Sequence, residues 1–84
     1  MQIPRNILIL TSIFLKMTIY VNGKPFQTKD NVTLIEVLHQ FEITENTEGV
    51  AVAIDELVIF KTQWKETILK EGQKIEIVWA RQGG

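Results

Sequence analysis

The chain has 84 residues, 45% hydrophobic and 23% charged, which is enough for one small domain with an ordinary core and leaves no room for a second. Nine basic residues against ten acidic ones give a formal charge of −1, so a general nucleic-acid binder, which carries a basic excess on one face or helix, is excluded. With no cysteine and one histidine, disulfides, thiolate metal sites and a cysteine nucleophile are absent, and ligands for a zinc site are too few.

Met1 to Lys16 differ in texture from the rest of the chain. Ile7 to Leu15 (ILILTSIFL) form a mostly apolar run behind Pro4 and Arg5. Nine residues are too few to span a bilayer as a helix, which takes about 20. A basic residue before an apolar stretch suits a secretory signal, but no small-x-small cleavage site comes after it. Met17 opens a segment whose pattern is complete by itself, so we read 1–16 as an upstream extension and 17–84 as the domain proper. Without Arg5 and Lys16, seven basic residues face ten acidic ones, a charge of −3.

From Thr18 apolar and polar positions alternate. Ile19 and Val21 point one way, and Thr18, Tyr20 and Asn22 the other, which predicts a half-buried strand. Asn22-Gly23 signals a type I′ hairpin because both positions tolerate positive φ. The return strand runs from Pro25 to about Thr28, its proline suiting a strand start or an edge. After the polar loop Lys29-Asp30-Asn31, Thr33 and Glu36 form a capping box with Val32 and Val37 at the staple positions, so a helix begins at Leu34. Leu34, Val37, Leu38 and Phe41 make one apolar stripe at i, i+3, i+4 and i+7. His39 lies off that stripe and reads as solvated.

Ile43 to Gly49 reads as a polar connection, with Glu45 and Glu48 solvated because their spacing matches no calcium loop. In Val50 to Asp55, Val50, Val52 and Ile54 face inward and only Ala51 and Ala53 lie opposite, leaving room for something to rest on that face. A turn at Asp55-Glu56 leads to a short strand, Leu57 to Phe60, and then to a helical turn over Thr62 to Lys65. Trp64, Ile68 and Leu69 are expected to close one end of the core, Trp64 as packing rather than as a binding residue. Gly72 turns the chain into the last strand, Lys74 to Trp79, where Ile75, Ile77 and Trp79 share one face and Glu76 and Val78 the other.

A hairpin, a crossover helix and later strands predict an α+β domain: a mixed sheet with one main helix on one face. The right-handed crossover rule places the last strand beside the first, which is the β-grasp, or ubiquitin-like, topology. There the tail Arg81-Gln82-Gly83-Gly84 leaves the sheet as a flexible arm. Glycines let a backbone thread a narrow channel, and a terminal glycine presents a carboxylate with no Cβ beside it. A frayed polar end is the plainer reading of the tail alone. Tyr20 and Val78 are expected to project from the face opposite the helix beside Ala51 and Ala53, with Phe60 extending them into a docking patch.

These residues also carry a family resemblance. From Met17 onward the chain resembles the ThiS sulfur carriers of thiamine biosynthesis, in Val50-Ala51-Val52-Ala53-Ile54-Asp55, Val58, Trp64, Leu69, the Gly72 turn, Lys74-Ile75-Glu76-Ile77-Val78 and the closing Gly83-Gly84. It departs from that family's usual pattern at Asp55 (asparagine), Phe60 and Lys61 (proline and arginine) and Gln73 (aspartate). The resemblance implies a carrier that is not itself an enzyme and binds no cofactor. A ThiF-like enzyme, using ATP and magnesium, would adenylate the Gly84 carboxylate. A persulfide donor would convert it to a thiocarboxylate, and a ThiG-like thiazole synthase would receive the sulfur. Arg81, Gln82 and Gly83 would be read by the partner channel. The free carrier would be a monomer, with no nucleic-acid or membrane partner, in a cytoplasm or plastid stroma; the lack of cysteine fits such a reducing compartment. A MoaD-like carrier for molybdopterin synthesis, a ubiquitin-like protein modifier and a non-covalent β-grasp interaction module are the alternatives that share these features.

Overall fold

A computed structural model describes residues 17–80. The extension 1–16 and the tail Arg81, Gln82, Gly83 and Gly84 lie outside the described residues. The elements are β1 (Met17–Val21), β2 (Lys24–Thr28), α1 (Leu34–Gln40), β3 (Val50–Ile54), β4 (Leu57–Ile59), a 3₁₀ turn (Lys61–Gln63) and β5 (Lys74–Trp79). The five strands form one sheet in the order β2-β1-β5-β3-β4. β5 is central, parallel to β1 and antiparallel to β3. The expected mixed sheet with the last strand beside the first is therefore what the chain adopts, a β-grasp fold.

Local chemistry accounts for each boundary. Asn22 and Gly23 take φ of 51° and 83°, the doubly left-handed pair that a type I′ turn requires, and set the register Val21 to Lys24. Asp55 and Glu56 make the same kind of turn between β3 and β4 with φ of 47° and 73°, although neither is glycine. At the start of α1 the capping box forms: the Glu36 N–H donates to Thr33 Oγ1 at 3.3 Å, and the Thr33 N–H donates to Glu36 Oε2 at 2.8 Å. That backbone donor, with lesser help from the Thr33 hydroxyl and Lys29, holds the Glu36 carboxyl below its ordinary value. The two amides ahead of it are satisfied from outside the helix, Leu34 N–H by the Thr67 carbonyl at 2.8 Å and Ile35 N–H by the Trp64 carbonyl at 3.0 Å.

The core lies between the sheet and α1. Ile19, Val21, Val52, Ile54, Ile75 and Ile77 from three strands meet Leu34, Val37 and Leu38 from the helix. Trp64 is fully buried and its indole N–H donates to the Ile59 carbonyl at 2.9 Å, so it packs and caps the end of the core together with Leu69.

Four expectations are corrected. Phe41 does not continue the helical stripe: α1 ends at Gln40, Phe41 is 40% exposed, and its ring lies 5.4 Å from that of Phe26. Its place in the core is taken by Ile43, which belongs to a buried helix end rather than to a polar connection. The Glu42 N–H donates to the His39 carbonyl and the Ile43 N–H to the Leu38 carbonyl, both at 3.0 Å. Glu42 has a φ of 62°. This is a Schellman closure, and its hydrophobic partners are Ile43 and Leu38. Ile68 does not close the core. Residues 67–69 run extended along the helix start, so alternation sends Leu69 in and leaves Ile68 54% exposed. Finally, β4 stops at Ile59 and the helical turn begins at Lys61, one residue earlier than expected. Trp79 keeps the face of Ile75 and Ile77 by parity but lies past the core and is exposed, and Val50 opposite it is only half-buried.

Candidate functional site

The four residues assigned to activation and tail recognition, Arg81, Gln82, Gly83 and Gly84, lie outside the described residues, but their root does not. On the β3 side of β5, the Ala80 N–H donates to the Gly49 carbonyl at 2.7 Å, carrying the ladder one step past Trp79. On the β1 side the strand pairing ends at Val21 opposite Ile75. Beyond it Asn22 takes over. Its N–H donates to the Ile75 carbonyl at 2.8 Å. Its side-chain amide pairs with both polar groups of Ile77: the Ile77 N–H donates to Oδ1 at 2.7 Å, and Nδ2 donates to the Ile77 carbonyl at 3.3 Å. Sequence reading took Asn22 for a turn residue only, because nothing local signals a partner 55 positions away.

The open face of the sheet can be read from the register. Val78 lies opposite Ala51, and Glu76 opposite Ala53, which in turn lies opposite Val58. Phe60 follows Ile59, the partner of Val52, and its extended backbone keeps the alternation. One row across the sheet is therefore Val78, Ala51 and Phe60, and the next is Glu76, Ala53 and Val58. Val78 is 56% exposed and Phe60 69%, so these two members of the expected patch share a face that no other described residue covers. Tyr20, 38% exposed, shares the face but not the row. It pairs with Lys74, four residues back along β5, and a shallow groove lined by Asn22, Glu76 and Val78 separates it from the others. The apolar lobe next to the tail root thus consists of Val78, Phe60 and Val58 around two alanines. Val58 is the member that sequence reading left out, although its alternation with Ile59 was available as a signal.

The remaining candidates are dispersed. His39, Glu45 and Glu48 are exposed. Among the described residues no group of three or more His, Asp or Glu side chains converges as metal ligands would. Among them, too, no helix is long and apolar enough to cross a membrane. What the arrangement offers is a central strand held on both flanks up to Ile77 and on the β3 side to Ala80, beside an open apolar face.

Comparison with known proteins points the same way. Residues 19–84 match the model of the ThiS family. The crystal structure of the thiamine biosynthesis protein ThiS from Geobacter metallireducens superposes with a TM-score of 0.68 at 26% identity, covering 81% of this chain and 100% of that one. The solution structure of a thiamine biosynthesis protein from the same organism gives 0.63 at 26% identity over 81% and 88%. Among curated proteins, the uncharacterized protein ycf40 of Trieres chinensis is 25% identical over 75 residues, 89% of this chain and all of that protein. The uncharacterized ycf40 of Pyropia yezoensis is 28% identical over 68 residues, 81% of this chain and 93% of that protein.

Proposed function

The chain belongs to the ThiS family of ubiquitin-like sulfur carriers, and we propose that its reactive group is the carboxylate of Gly84, charged with sulfur for thiazole formation in thiamine biosynthesis. The observation that carries this reading is the family match running to Gly84, over a fold in which the central strand β5 is the last element described before residues 81–84. A carboxylate is a poor acceptor until one oxygen becomes a leaving group. A ThiF-like enzyme with bound ATP and magnesium supplies that: a Gly84 oxygen attacks the α-phosphorus, pyrophosphate leaves, and an acyl adenylate remains. The terminal sulfur of a persulfide then displaces AMP and forms an acyl disulfide. A second thiol reduces the S–S bond, leaving the Gly84 thiocarboxylate and a new disulfide. A ThiG-like thiazole synthase takes the sulfur.

Glycine suits every step, having no side chain to block the carbonyl and no stereocentre to lose while activated. In this reading Gly83, Gln82 and Arg81 thread the partner channel, and the open-face residues Val78, Phe60 and Tyr20 dock on the activating enzyme. The chain binds no cofactor of its own and acts as a co-substrate, in a cytoplasm or a plastid stroma.

The test is to incubate the chain with a ThiF-type enzyme, ATP and a persulfide donor, alkylate, and record intact and fragment masses. Replacing oxygen by sulfur is nearly isobaric with methionine oxidation, but a chain without cysteine has no ordinary thiol to alkylate, so a label on Gly84 identifies the thiocarboxylate. Deleting Gly84 should abolish labelling without unfolding the domain. Labelling that survives the deletion, or a lysine conjugate without sulfur, would overturn the proposal.

A further inference from the structure

The last stretch of β5 is held in an unusual way. Val78, Trp79 and Ala80 are all exposed, so packing does not fix them; hydrogen bonds do. On one flank these run to β3 and, at the last step, from Ala80 to Gly49. On the other flank β1 has already turned away, and the Ile77 N–H and carbonyl would face an empty seam. They are satisfied by the side-chain amide of Asn22 at 2.7 and 3.3 Å. Because a backbone N–H can only donate, the amide orientation follows from the chemistry. The turn does not need that amide: φ of 51° at position 22 is open to glycine at least as readily as to asparagine.

We propose that Asn22 is a positioning residue for the reaction at Gly84, standing in for a missing residue of β1 and fixing the direction in which the tail enters a partner's active site. The inference rests on the sulfur-carrier reading above. Four residues separate Ala80 from the terminal carboxylate, and at full extension they span about 14 Å. A tail drawn nearly straight into a channel transmits any displacement of its root to the reacting atoms, where misplacement by about 1 Å can cost on the order of a hundredfold in rate. Tyr20, Phe60 and Val78 carry the proposed docking, while the Asn22 amide is engaged with Ile77 in the groove between Tyr20 and Val78, so loosening the root should slow chemistry without weakening the encounter.

The experiment follows pyrophosphate release by a ThiF-type enzyme with the full chain, Asn22→Gly and Asn22→Asp, well below the melting midpoint of each, with amide exchange at Ile77 measured in parallel. Asn22→Gly keeps the turn and loses the clamp. It should lower kcat about tenfold, leave KM within about twofold, and speed exchange at Ile77. Asn22→Asp keeps the acceptor at 2.7 Å but replaces the donor to the Ile77 carbonyl by an acceptor, so its kcat should fall between those of the glycine variant and the wild type. If the glycine variant does not fold, the aspartate variant decides alone: wild-type kcat despite faster exchange at Ile77 removes the inference. Unchanged kcat despite faster exchange at Ile77 overturns the positioning role, as does a rise in KM alone, which would make Asn22 a partner contact. If the wild-type chain releases no pyrophosphate and takes no label, the carrier reading fails and the inference with it; a wild type that is charged normally beside an unaffected glycine variant sinks only the inference.

Discussion

Replacing Glu42 by glycine should stabilise the domain, and the structure sets the size of the effect. Glu42 follows the helix C-cap Phe41 with a φ of 62°, a conformation that costs a non-glycine residue about 1–2 kcal/mol. The two Schellman hydrogen bonds use its backbone and that of Ile43, so the substitution breaks neither. The side chain is exposed and makes no hydrogen bond to the described residues. Against the relief stands the extra chain entropy that glycine brings to the unfolded state, about 0.5–1 kcal/mol. Removing a carboxylate from the negative end of a helix returns a few tenths of a kcal/mol more. The net gain is about 1 kcal/mol, which for a domain of this size raises Tm by about 4–8 °C. Thermal melts followed by circular dichroism at fixed pH and salt measure it. Glu42→Ala is the control, since it removes the charge but keeps the Cβ and should recover only the smaller electrostatic part. An unchanged or lower Tm for the glycine variant, or an equal rise for the alanine variant, would refute the argument.

Three further outcomes are expected. The Glu36 carboxyl titrates below its ordinary value, so its contribution to stability is complete above the unfolded pKa and disappears as pH falls through the folded one; urea midpoints taken from about pH 6 to about pH 3 should fall more for the wild type than for Glu36→Gln. Because the Glu36 side chain is 45% exposed, the difference is small and salt-sensitive. Trp64→Phe opens a cavity and leaves the Ile59 carbonyl without its 2.9 Å donor, which should cost about 2 kcal/mol in denaturant unfolding. Val78→Lys places a charge in the row beside Ala51 and should weaken binding to a ThiF-type enzyme at least tenfold while moving Tm by no more than about 2 °C; unaltered affinity would remove Val78 from the docking surface.

Much of the fold was legible because its signals are local. Alternation in Ile19 and Val21, in Val52 and Ile54, and in Ile75 and Ile77 marks the three core strands, Asn22-Gly23 marks the hairpin, and Thr33 with Glu36 marks the helix start to the residue. What misled was the assumption that a period continues until a glycine or proline stops it. Phe41 fits the helical stripe by spacing, but the helix ends one residue earlier. Its stop is a left-handed Glu42, which no propensity rule proposes. Once the chain reverses there, Ile43 is the apolar residue that reaches the core. Ile68 was expected in the core beside Leu69, but residues 67–69 are extended and put the two on opposite sides. The open face of the sheet was legible by parity, whereas its two-lobed shape depends on the stagger between β1 and β5, which pairs Tyr20 with Lys74. Stagger comes from the turns and the crossover together, and no single stretch of sequence encodes it.

The positions that depart from the usual ThiS pattern divide by the same physical test. Asp55 accepts the Lys74 N–H at 3.0 Å, joining the β3–β4 turn to the start of β5. Gln73 accepts the Lys70 N–H at 2.8 Å and so closes the turn before that strand, and the Lys61 ammonium donates to the Thr47 carbonyl. Each of these three has a partner within the domain, so its identity is accounted for by folding. The Phe60 side chain has none among the described residues: it stands exposed in the row of Val78 and Ala51. A residue of that size adds apolar area to the open face at its β4 edge, with β3 between it and Val78 on β5. On the proposed docking of this face to an activating enzyme, the departure at Phe60 is the one that would meet the partner, and a recess matched to it is where this chain's specificity would be written.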